Sequence, residues 1–318
     1  MDADPDLAAA LGVPPGDLED VLEQFSHDTF EGRSYRHLSD ARHGIERGTA
    51  IVDGNVVRGF PSIPRTLVLD PGIEAHFDGR LTIEEKRNGY NVRVARIEGD
   101  VLAFTRGGYI CPYTTGLVRD TFDPGGFFDE HPDLMVCGEL IGPENPYTPH
   151  DYEGVASARL EVFDIRERES GDPLSIDRRR DLCDAYDLPQ VPSFGEYDPV
   201  DAPAEVRRVI ENLDRDGREG VVMKSPDGRR LLKYTTSATH RADLEHAFSL
   251  PFDYGQEFMF PRILREIFQA VEFDERGDAL RDRAHNLGEA MLLPAVDTIR
   301  AVRRGETVGE DHTVRGDP

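Results

Sequence analysis

Short stretches of alternating apolar and polar residues fill the middle of this 318-residue chain, and glycine-containing turns separate them. Strands are predicted over residues 50–57, 64–69, 81–106, 134–141, 160–165, 220–224 and 231–234. Helices are predicted over residues 175–186, 201–214, 237–248, 257–273 and 278–303, and residues 1–48 have a mostly helical pattern. The expected fold class is therefore α+β, with an antiparallel-sheet core between helical N- and C-terminal modules.

The length of the chain predicts two or three domains. We expect an N-terminal module over residues 1–62, a central domain over 63–240 and a helical C-terminal region over 241–318. The longest uninterrupted apolar run, residues 290–296, is too short to cross a bilayer, so no membrane partner is expected. The acidic start lacks the layout of a signal peptide, and the three widely spaced cysteines suggest no disulfide framework. A cytoplasmic location is expected.

The charge balance is strongly acidic, with 62 Asp and Glu against 37 Lys and Arg. Taken alone, this argues against nucleic-acid binding, because contacts with phosphates need local positive charge. The acidic residues are spread along the chain, however, which is typical of proteins from salt-loving organisms. In molar salt the Debye length is about 3 Å, so a small basic cleft could still bind RNA or DNA. The alternative is an acidic, soluble protein from an organism that does not need high salt.

Lysine is scarce: only Lys86, Lys224 and Lys233 accompany 34 arginines. Arginine is a permanent cation, whereas lysine can lose its proton and act as a nucleophile. The surroundings of the three lysines are therefore the predicted site of chemistry.

A two-residue turn at residues 88–89 predicts that Lys86 lies opposite Asn91 and that Glu84 lies opposite Arg93. One face of this hairpin would then carry an acid, a lysine, an amide and an arginine, while the other face is apolar. The lysine would sit in a polar cluster.

A second turn, at residues 227–228, predicts that Lys224 lies opposite Leu231 and that Val222 lies opposite Lys233. The two lysines would share one face as diagonal neighbours about 7–8 Å apart. Two neighbouring cations suggest an anion between them, such as a phosphate. The alternative is a pair of solvated lysines on an outer face.

Residues 85–91, Glu-Lys-Arg-Asn-Gly-Tyr-Asn, resemble the KxDGxN signature of the covalent nucleotidyltransferases, which include ATP-dependent RNA ligases, DNA ligases and mRNA capping enzymes. Five further elements follow in the order of that family: Arg106-Gly107, Gly138-Glu139-Leu140, Phe163-Asp164-Ile165, Glu219-Gly220-Val221-Val222-Met223-Lys224 and Leu232-Lys233. The motifs span residues 84–235, about half of the chain, and contain all three lysines. Within the superfamily, the whole chain is most similar to the archaeal homodimeric, RNA-circularising ligases.

The resemblance implies an ATP-grasp-like nucleotidyltransferase (adenylation) domain over residues 63–240. It implies an ATP-dependent RNA ligase that joins 5′-phosphate and 3′-hydroxyl RNA ends through a lysyl-AMP intermediate, often by circularisation. ATP would be the cosubstrate, with Mg²⁺ or Mn²⁺ as the metal. The C-terminal region would provide the contact between two copies in a homodimer.

The resemblance also implies roles for individual residues. Lys86 would be the nucleophile, Lys224 and Lys233 would act on the phosphates, and Glu219 would hold the metal. The implied ATP-binding residues are Glu84 at the adenine amino group, Lys86, Arg106, Glu139 at the ribose, Phe163 stacked on adenine, Lys224 and Lys233. Asn91 and Arg106 would contact the 5′-phosphate of the RNA. An amine nucleophile must be neutral, so positive charge close to Lys86 is expected.

Two positions depart from the family pattern. Asn88 replaces a frequent aspartate, which puts any role of that position at the metal in doubt. The last motif often reads Lys-x-Lys, but here Thr235 occupies the second lysine position. One phosphate contact therefore has no assigned residue.

Three alternatives remain open from the sequence. A DNA ligase or capping-type enzyme would use the same chemistry, but those usually carry an OB-fold where this chain is predicted to be helical. A non-catalytic nucleotide- or RNA-binding module is the rival of a different class, and retention of Lys86 and Glu219 counts against it. The Arg178–Arg180 triplet could bind RNA or form a solvated helix face.

Overall fold

The computed structural model describes residues 4–122, 125–250, 254–304 and 306. The helices are α1 (Pro5–Leu11), α2 (Leu18–Leu22), α3 (Gly72–His76), α4 (Pro112–Leu117), α5 (Gly125–Glu130), α6 (Ile176–Ala185), α7 (Ala202–Arg215), α8 (Ser237–Ser249), α9 (Gln256–Glu272) and α10 (Gly277–Arg303). The strands are β1 (Ser26–Phe30), β2 (Arg33–His37), β3 (Ala50–Val52), β4 (Asn55–Val57), β5 (Leu81–Lys86), β6 (Tyr90–Ile97), β7 (Asp100–Thr105), β8 (Leu134–Ile141), β9 (Arg159–Glu167), β10 (Ser193–Tyr197), β11 (Gly220–Lys224) and β12 (Leu231–Thr235).

The described strands form three four-stranded sheets, in the orders β1-β2-β3-β4, β10-β5-β11-β12 and β7-β6-β8-β9. The first and third sheets are antiparallel throughout. The predicted α+β class with antiparallel sheets and a helical C-terminal region is confirmed. None of the helices in the described part of the chain is both long enough and apolar enough to span a bilayer.

The chain divides into two compact units that are not consecutive in sequence. The first unit contains the described residues up to 63, residues 87–193 and residues 224–231. The second unit contains residues 64–86 and 194–223 and the described residues from 232 onward. The three-region division proposed from the sequence stays a prediction.

The sequence pattern predicted a mostly helical N-terminal module, and this prediction is wrong. From residue 4 to residue 62, only α1 and α2 are α-helices, and residues 26–57 contain a four-stranded sheet. The turn between β1 and β2 consists of Glu31 and Gly32, both in the left-handed region with φ of 51° and 81°. Phe30 and Tyr35 are buried while most other side chains of the hairpin are polar, which hides the strand pattern in the sequence.

Several predicted elements are confirmed. The Asp53-Gly54 hairpin joins β3 to β4, with both turn residues at positive φ. Strand β8 has the predicted bounds, and the three C-terminal helices lie within a few residues of theirs. Helix α6 begins at the predicted cap, where the Ser175 hydroxyl accepts a hydrogen bond from the Arg178 amide.

The predicted strand over residues 64–69 is wrong. In the second unit this segment makes one isolated parallel bridge, between Arg65 and Lys233. Pro64 accepts a hydrogen bond from the Lys233 amide through its carbonyl but has no N–H of its own to extend a ladder.

Candidate active site

Lys86 lies at the end of β5 in the second unit, and its ammonium is bound by a carboxylate. The strand residues before it are buried, and Leu81 and Ile83 belong to the hydrophobic core of this unit. Glu219 immediately precedes β11, the neighbour of β5 in the sheet. The Nζ of Lys86 is 2.5 Å from the Oε1 of Glu219, and the Lys86 side chain is 24% exposed. The sheet thus brings together the predicted nucleophile and the predicted metal ligand.

The predicted hairpin around residues 88–89 is wrong. Strand β5 belongs to the sheet β10-β5-β11-β12 and β6 to the sheet β7-β6-β8-β9, so the proposed pairings of Lys86 with Asn91 and of Glu84 with Arg93 are absent among the described strand pairs. Gly89 serves a different purpose from a tight turn. A Cβ there would lie 2.3 Å from the Leu140 carbonyl oxygen, so the backbone at this position needs glycine to pack against β8.

Arg93 is a buried structural residue of the first unit rather than a member of a polar face. Its guanidinium donates to the carbonyls of Gly48 at 2.7 Å, of Thr105 at 2.9 Å and of Arg58. Burial lowers its pKa to about 10, so it remains charged at neutral pH. These bonds join the N-terminal sheet region to the end of β7, immediately before Arg106.

The backbone around Arg106 packs tightly against Gly48. A Cβ at Gly48, which has φ of 85°, would lie 2.2 Å from the Arg106 carbonyl oxygen. Gly108 also has positive φ, and a Cβ there would lie 2.7 Å from the Gly48 carbonyl oxygen. The Arg106 side chain is exposed. Sequence reasoning missed both Gly48 and Arg93 as the supports of this loop, since each acts through contacts distant in sequence.

Asn91, Glu139 and Glu161 lie in register across β6, β8 and β9. The Oδ1 of Asn91 is buried and has no hydrogen-bond partner in the described chain. Glu161, which sequence reasoning missed, is buried and paired with Arg87 at 2.7 Å and with Arg159. Its signal in the sequence is weak, because five of the nine residues of β9 are charged. This row of polar side chains is suited to bind a polar ligand.

Lys224 and Phe163 are in contact in the first unit. The buried Lys224 donates a hydrogen bond to the Phe163 carbonyl, and its Nζ lies 5.8 Å from the centroid of the Phe163 ring. The half-buried ring meets Phe60 edge to face, with the centroids 5.1 Å apart. The alternative in which Lys224 is a solvated outer-face lysine is therefore wrong. Arg179 donates to the same carbonyl and is buried, so the Arg178–Arg180 triplet is not one solvated face.

The predicted pairing across residues 227–228 is supported at both ends of the β11–β12 hairpin. In the first unit, the Ser225 amide donates to the Arg230 carbonyl at 3.0 Å. In the second unit, the Thr236 amide donates to the Glu219 carbonyl, also at 3.0 Å. Both bonds fit the register that the turn predicts.

The described residues contain no group of three or more acidic, histidine or cysteine side chains that could hold a metal. Glu219 offers a single carboxylate, and Glu84 is buried within β5. One carboxylate suits Mg²⁺, which is often held by one or two protein carboxylates together with the phosphates of a substrate and water. The residues present therefore fit a metal that arrives with a nucleotide.

The α+β fold and the lysine beside a carboxylate at a strand end agree with the ligase of the nucleotidyltransferase type that the motifs predict. The family model for RNA ligases matches residues 79–235, and the model for the Ligase Pab1020 C-terminal region matches residues 246–317. Uncharacterized protein MJ0414 of Methanocaldococcus jannaschii is 42% identical over 307 residues, which cover 92% of this chain and 78% of that protein. The chain belongs to the RNA ligase family.

Two solved structures are similar over nearly the whole chain. An archaeal ATP-dependent RNA ligase matches with a TM-score of 0.90 and 43% identity, covering 95% of this chain and 82% of that one. A putative ATP-dependent DNA ligase from Aquifex aeolicus matches with a TM-score of 0.83 and 29% identity, covering 95% of this chain and 80% of that one. The ligase fold predicted from the motifs is confirmed.

Proposed function

We propose that this protein is an ATP-dependent RNA ligase that joins 5′-phosphate and 3′-hydroxyl RNA ends through a lysyl-AMP intermediate on Lys86. The observation that carries the proposal is the placement of Lys86 at the end of β5, 2.5 Å from Glu219. Family membership and the likeness to an archaeal ATP-dependent RNA ligase support it.

The proposed reaction has three steps. The neutral Nζ of Lys86 attacks the α-phosphorus of ATP, a P–N bond forms, and pyrophosphate leaves as the bond to its bridging oxygen breaks. The RNA 5′-phosphate then takes the AMP and releases the lysine. Finally, the RNA 3′-hydroxyl attacks the activated 5′-phosphorus and AMP leaves. An ammonium paired with Glu219 is not nucleophilic, so the ion pair must open and the lysine must lose its proton before the first step.

The other motif residues keep their proposed roles. Phe163 would stack on adenine, Glu84 would contact its amino group, and Glu139 would accept a hydrogen bond from the ribose. Lys224 and Lys233 would stabilise charge on the phosphates. Asn91 and Arg106 would hold the 5′-phosphate; an amide rotated by 180° would present its nitrogen to a phosphate oxygen.

Glu219 would hold Mg²⁺ or Mn²⁺. When bound, such an ion neutralises phosphate charge and polarises the phosphoryl oxygens. The single carboxylate found at this position fits an ion whose other ligands are phosphate and water.

Covalent labelling tests the proposal directly. Protein incubated with α-³²P-ATP and Mg²⁺ in molar KCl is expected to carry label after denaturation, and acid but not base should remove it, as for a P–N bond. EDTA should prevent labelling. Adding RNA with a 5′-phosphate and a 3′-hydroxyl should discharge the label and give sealed products, with circles showing intramolecular joining.

A parallel assay on DNA of the same sequence separates the RNA ligase from a DNA ligase, which the likeness to the Aquifex aeolicus protein makes the main competing activity. If folded protein takes no label from ATP or GTP with Mg²⁺ or Mn²⁺, the ligase proposal is wrong. The result would then favour the alternative of a non-catalytic nucleotide- or RNA-binding module. The choice of KCl follows the proposed origin in a halophilic archaeon, where the enzyme would act in the cytoplasm.

We also propose that the C-terminal helices mediate a homodimer. Helices α9 and α10 expose large apolar side chains: Phe260, Ile267, Phe268, Val271, Leu280, Leu292, Leu293, Val296 and Ile299. Val271 is 76% exposed and Leu292 is 64% exposed, which is costly for a monomer in water. A second copy of the chain could cover this surface.

Light scattering coupled to size exclusion is expected to give about twice the monomer mass of 35.6 kDa. The pair Leu292→Asp and Leu293→Asp should weaken association by at least about 100-fold, because each buried leucine contributes roughly 1.5–3 kcal/mol. Exposed Asp278→Asn, at the start of α10, is the matched control. A wild type that stays monomeric at high concentration would contradict the dimer.

A further inference from the structure

Thr235 occupies the position where the family often has a second lysine. In β12, side chains alternate, so Lys233 and Thr235 share one face and Tyr234 lies on the other. Tyr234 belongs to the core of the second unit, and its hydroxyl donates to Glu272 at 3.2 Å. The face with Lys233 therefore lacks the second cation within the strand itself.

Arg65 brings a cation to this face from another segment of the second unit. It forms a parallel bridge with Lys233, through hydrogen bonds from the Lys233 amide to the Pro64 carbonyl at 2.9 Å and from the Thr66 amide to the Lys233 carbonyl at 3.2 Å. Bridged residues of parallel segments direct their side chains to the same face. In agreement, Nη1 of Arg65 donates a hydrogen bond to the Thr235 hydroxyl.

The Thr235 hydroxyl is itself held by a buried chain of hydrogen bonds. Its Oγ1 is 2.7 Å from Nε2 of His240, and Nδ1 of His240 is 2.6 Å from Oε1 of Glu266. If Nδ1 donates to the carboxylate, Nε2 accepts from Thr235, whose oxygen is then free to accept from Arg65. Burial lowers the pKa of His240, in agreement with a neutral ring. The chain fixes the position of the Arg65 guanidinium.

A second arginine, Arg265, lines a cavity with Arg65, Thr235 and His240 that has a volume of about 10 Å³, enough for about one water molecule. A phosphate would therefore meet Arg65 from its solvent-exposed side, since this residue is only partly buried. The Nε of Arg265 is buried and has no hydrogen-bond partner in the described chain. Burial, and then the nearby charge of Arg265, lower the pKa of Arg65 to about 10, while the carboxylates of Glu219 and Asp243 oppose that shift, so Arg65 stays cationic at neutral pH. Two neighbouring arginines, one of them with an unused N–H, are suited to bind an oxyanion.

We propose that Arg65, with Arg265 beside it, supplies the phosphate-binding cation that position 235 lacks. The proposal rests on the proposed ligase function, since it assigns a further phosphate contact to that site. The ligand is a phosphate group, which could come from the triphosphate of ATP or from the RNA backbone. His240 and Glu266 are positioning residues that act through Thr235.

Calorimetry with inorganic pyrophosphate tests the site without requiring ligase activity. Arg65→Gln is expected to weaken pyrophosphate binding by about 10- to 100-fold, the usual effect of losing a hydrogen bond from a charged donor. Arg65→Lys keeps the positive charge but loses the paired N–H donors of the guanidinium, so we expect its affinity for pyrophosphate to lie between those of the wild type and Arg65→Gln. Arg276→Gln, on an exposed arginine of the same unit paired with Asp274, should bind as the wild type does.

Two kinetic arms identify the source of the phosphate. If Arg65 contacts the triphosphate, Arg65→Gln should slow lysyl-AMP formation and leave the sealing of pre-adenylated RNA unchanged. If it contacts RNA, adenylation should be normal and the KM for RNA should rise. In either case, adding Thr235→Lys to Arg65→Gln should recover part of the loss by restoring the lysine of the family pattern.

The proposal fails if pyrophosphate binding and both kinetic arms change less than twofold in folded Arg65→Gln protein. Thermal unfolding establishes that the variants are folded, and should Arg65→Gln not fold, Arg65→Lys and Arg265→Gln carry the same comparison. If the wild type binds pyrophosphate through Arg65 but forms no lysyl-AMP, the phosphate site at Arg65 is supported and the proposed ligase function is contradicted. The two failures are therefore distinguishable.

Discussion

Arginine in place of Lys86 is expected to abolish covalent attachment of AMP, with labelling from α-³²P-ATP reduced by at least about 1,000-fold. Lys86→Arg retains a cation that can pair with Glu219, so the charge around the site is preserved. A guanidinium stays protonated at neutral pH and provides no free nitrogen lone pair for attack on phosphorus. The loss would therefore report on nucleophilicity and not on charge.

The matched control uses the same Lys86→Arg protein with pre-adenylated RNA, since the final sealing step needs no lysine nucleophile. That step should retain a substantial share of the wild-type rate, showing that the site is folded and binds RNA. Persistent label at the wild-type level would place the adduct on another residue and contradict the assignment. With so few lysines, peptide mapping would then distinguish Lys224 from Lys233.

Removing the negative charge of Glu266 is expected to destabilise the protein by about 3–5 kcal/mol, the usual cost of breaking a buried ion pair from one side. Glu266 is 1% exposed and accepts from Ser237 at 2.7 Å and from Arg283 at 2.5 Å. Glu266→Gln would leave Arg283 with the carboxylate of Glu275 and the side-chain oxygen of Gln269, and it would disrupt the contact with His240. Urea unfolding measures the change.

Glu275→Gln is the control, because it removes a carboxylate from the same Arg283 at a more exposed position. We expect a smaller loss there, since solvent screens the remaining charge better. Equal losses for the two variants would show that burial of Glu266 is not the cause.

The same network predicts that stability falls in acid. Burial lowers the pKa of His240 from 6.5, so the unfolded chain takes up the proton first and stability is lost as the pH falls below that value. Burial alone would raise the pKa of Glu266, but His240 and Arg283 bring it below 4.5. The stabilising contribution of the Glu266 carboxylate is present above pH 4.5 and is lost at lower pH, so Glu266→Gln should flatten the stability curve below pH 4.5.

Local sequence signals predicted the elements whose partners are close along the chain. The turns at Asp53-Gly54 and Asp227-Gly228 lead to the expected pairings, because such dipeptides tolerate positive φ and the residues on either side of each turn pair with one another. The Asn88-Gly89 dipeptide looks the same but joins strands of two different sheets. There, glycine is needed because the backbone packs closely against the Leu140 carbonyl, a contact that no local sequence pattern predicts.

The supports of the site were less predictable for the same reason. Arg93 appeared to be a polar-face residue because strand alternation could not show that Gly48 and Thr105 carbonyls surround it. Arg65 lies 170 residues before its partner Thr235, outside every motif. The motifs predicted which chemistry the chain carries, whereas the residues that hold and supplement those motifs depend on tertiary contacts.

The alternation of the chain between its two units limits how recombination can exchange them. The chain changes unit five times, and the changes fall at residues 63–64, 86–87, 193–194, 223–224 and 231–232. Lys86 is the last residue before one change, Lys224 is the first after another, and Lys233 is the second after a third. Neither unit is therefore a continuous stretch of coding sequence. A single recombination joint cannot exchange one whole unit for a foreign counterpart.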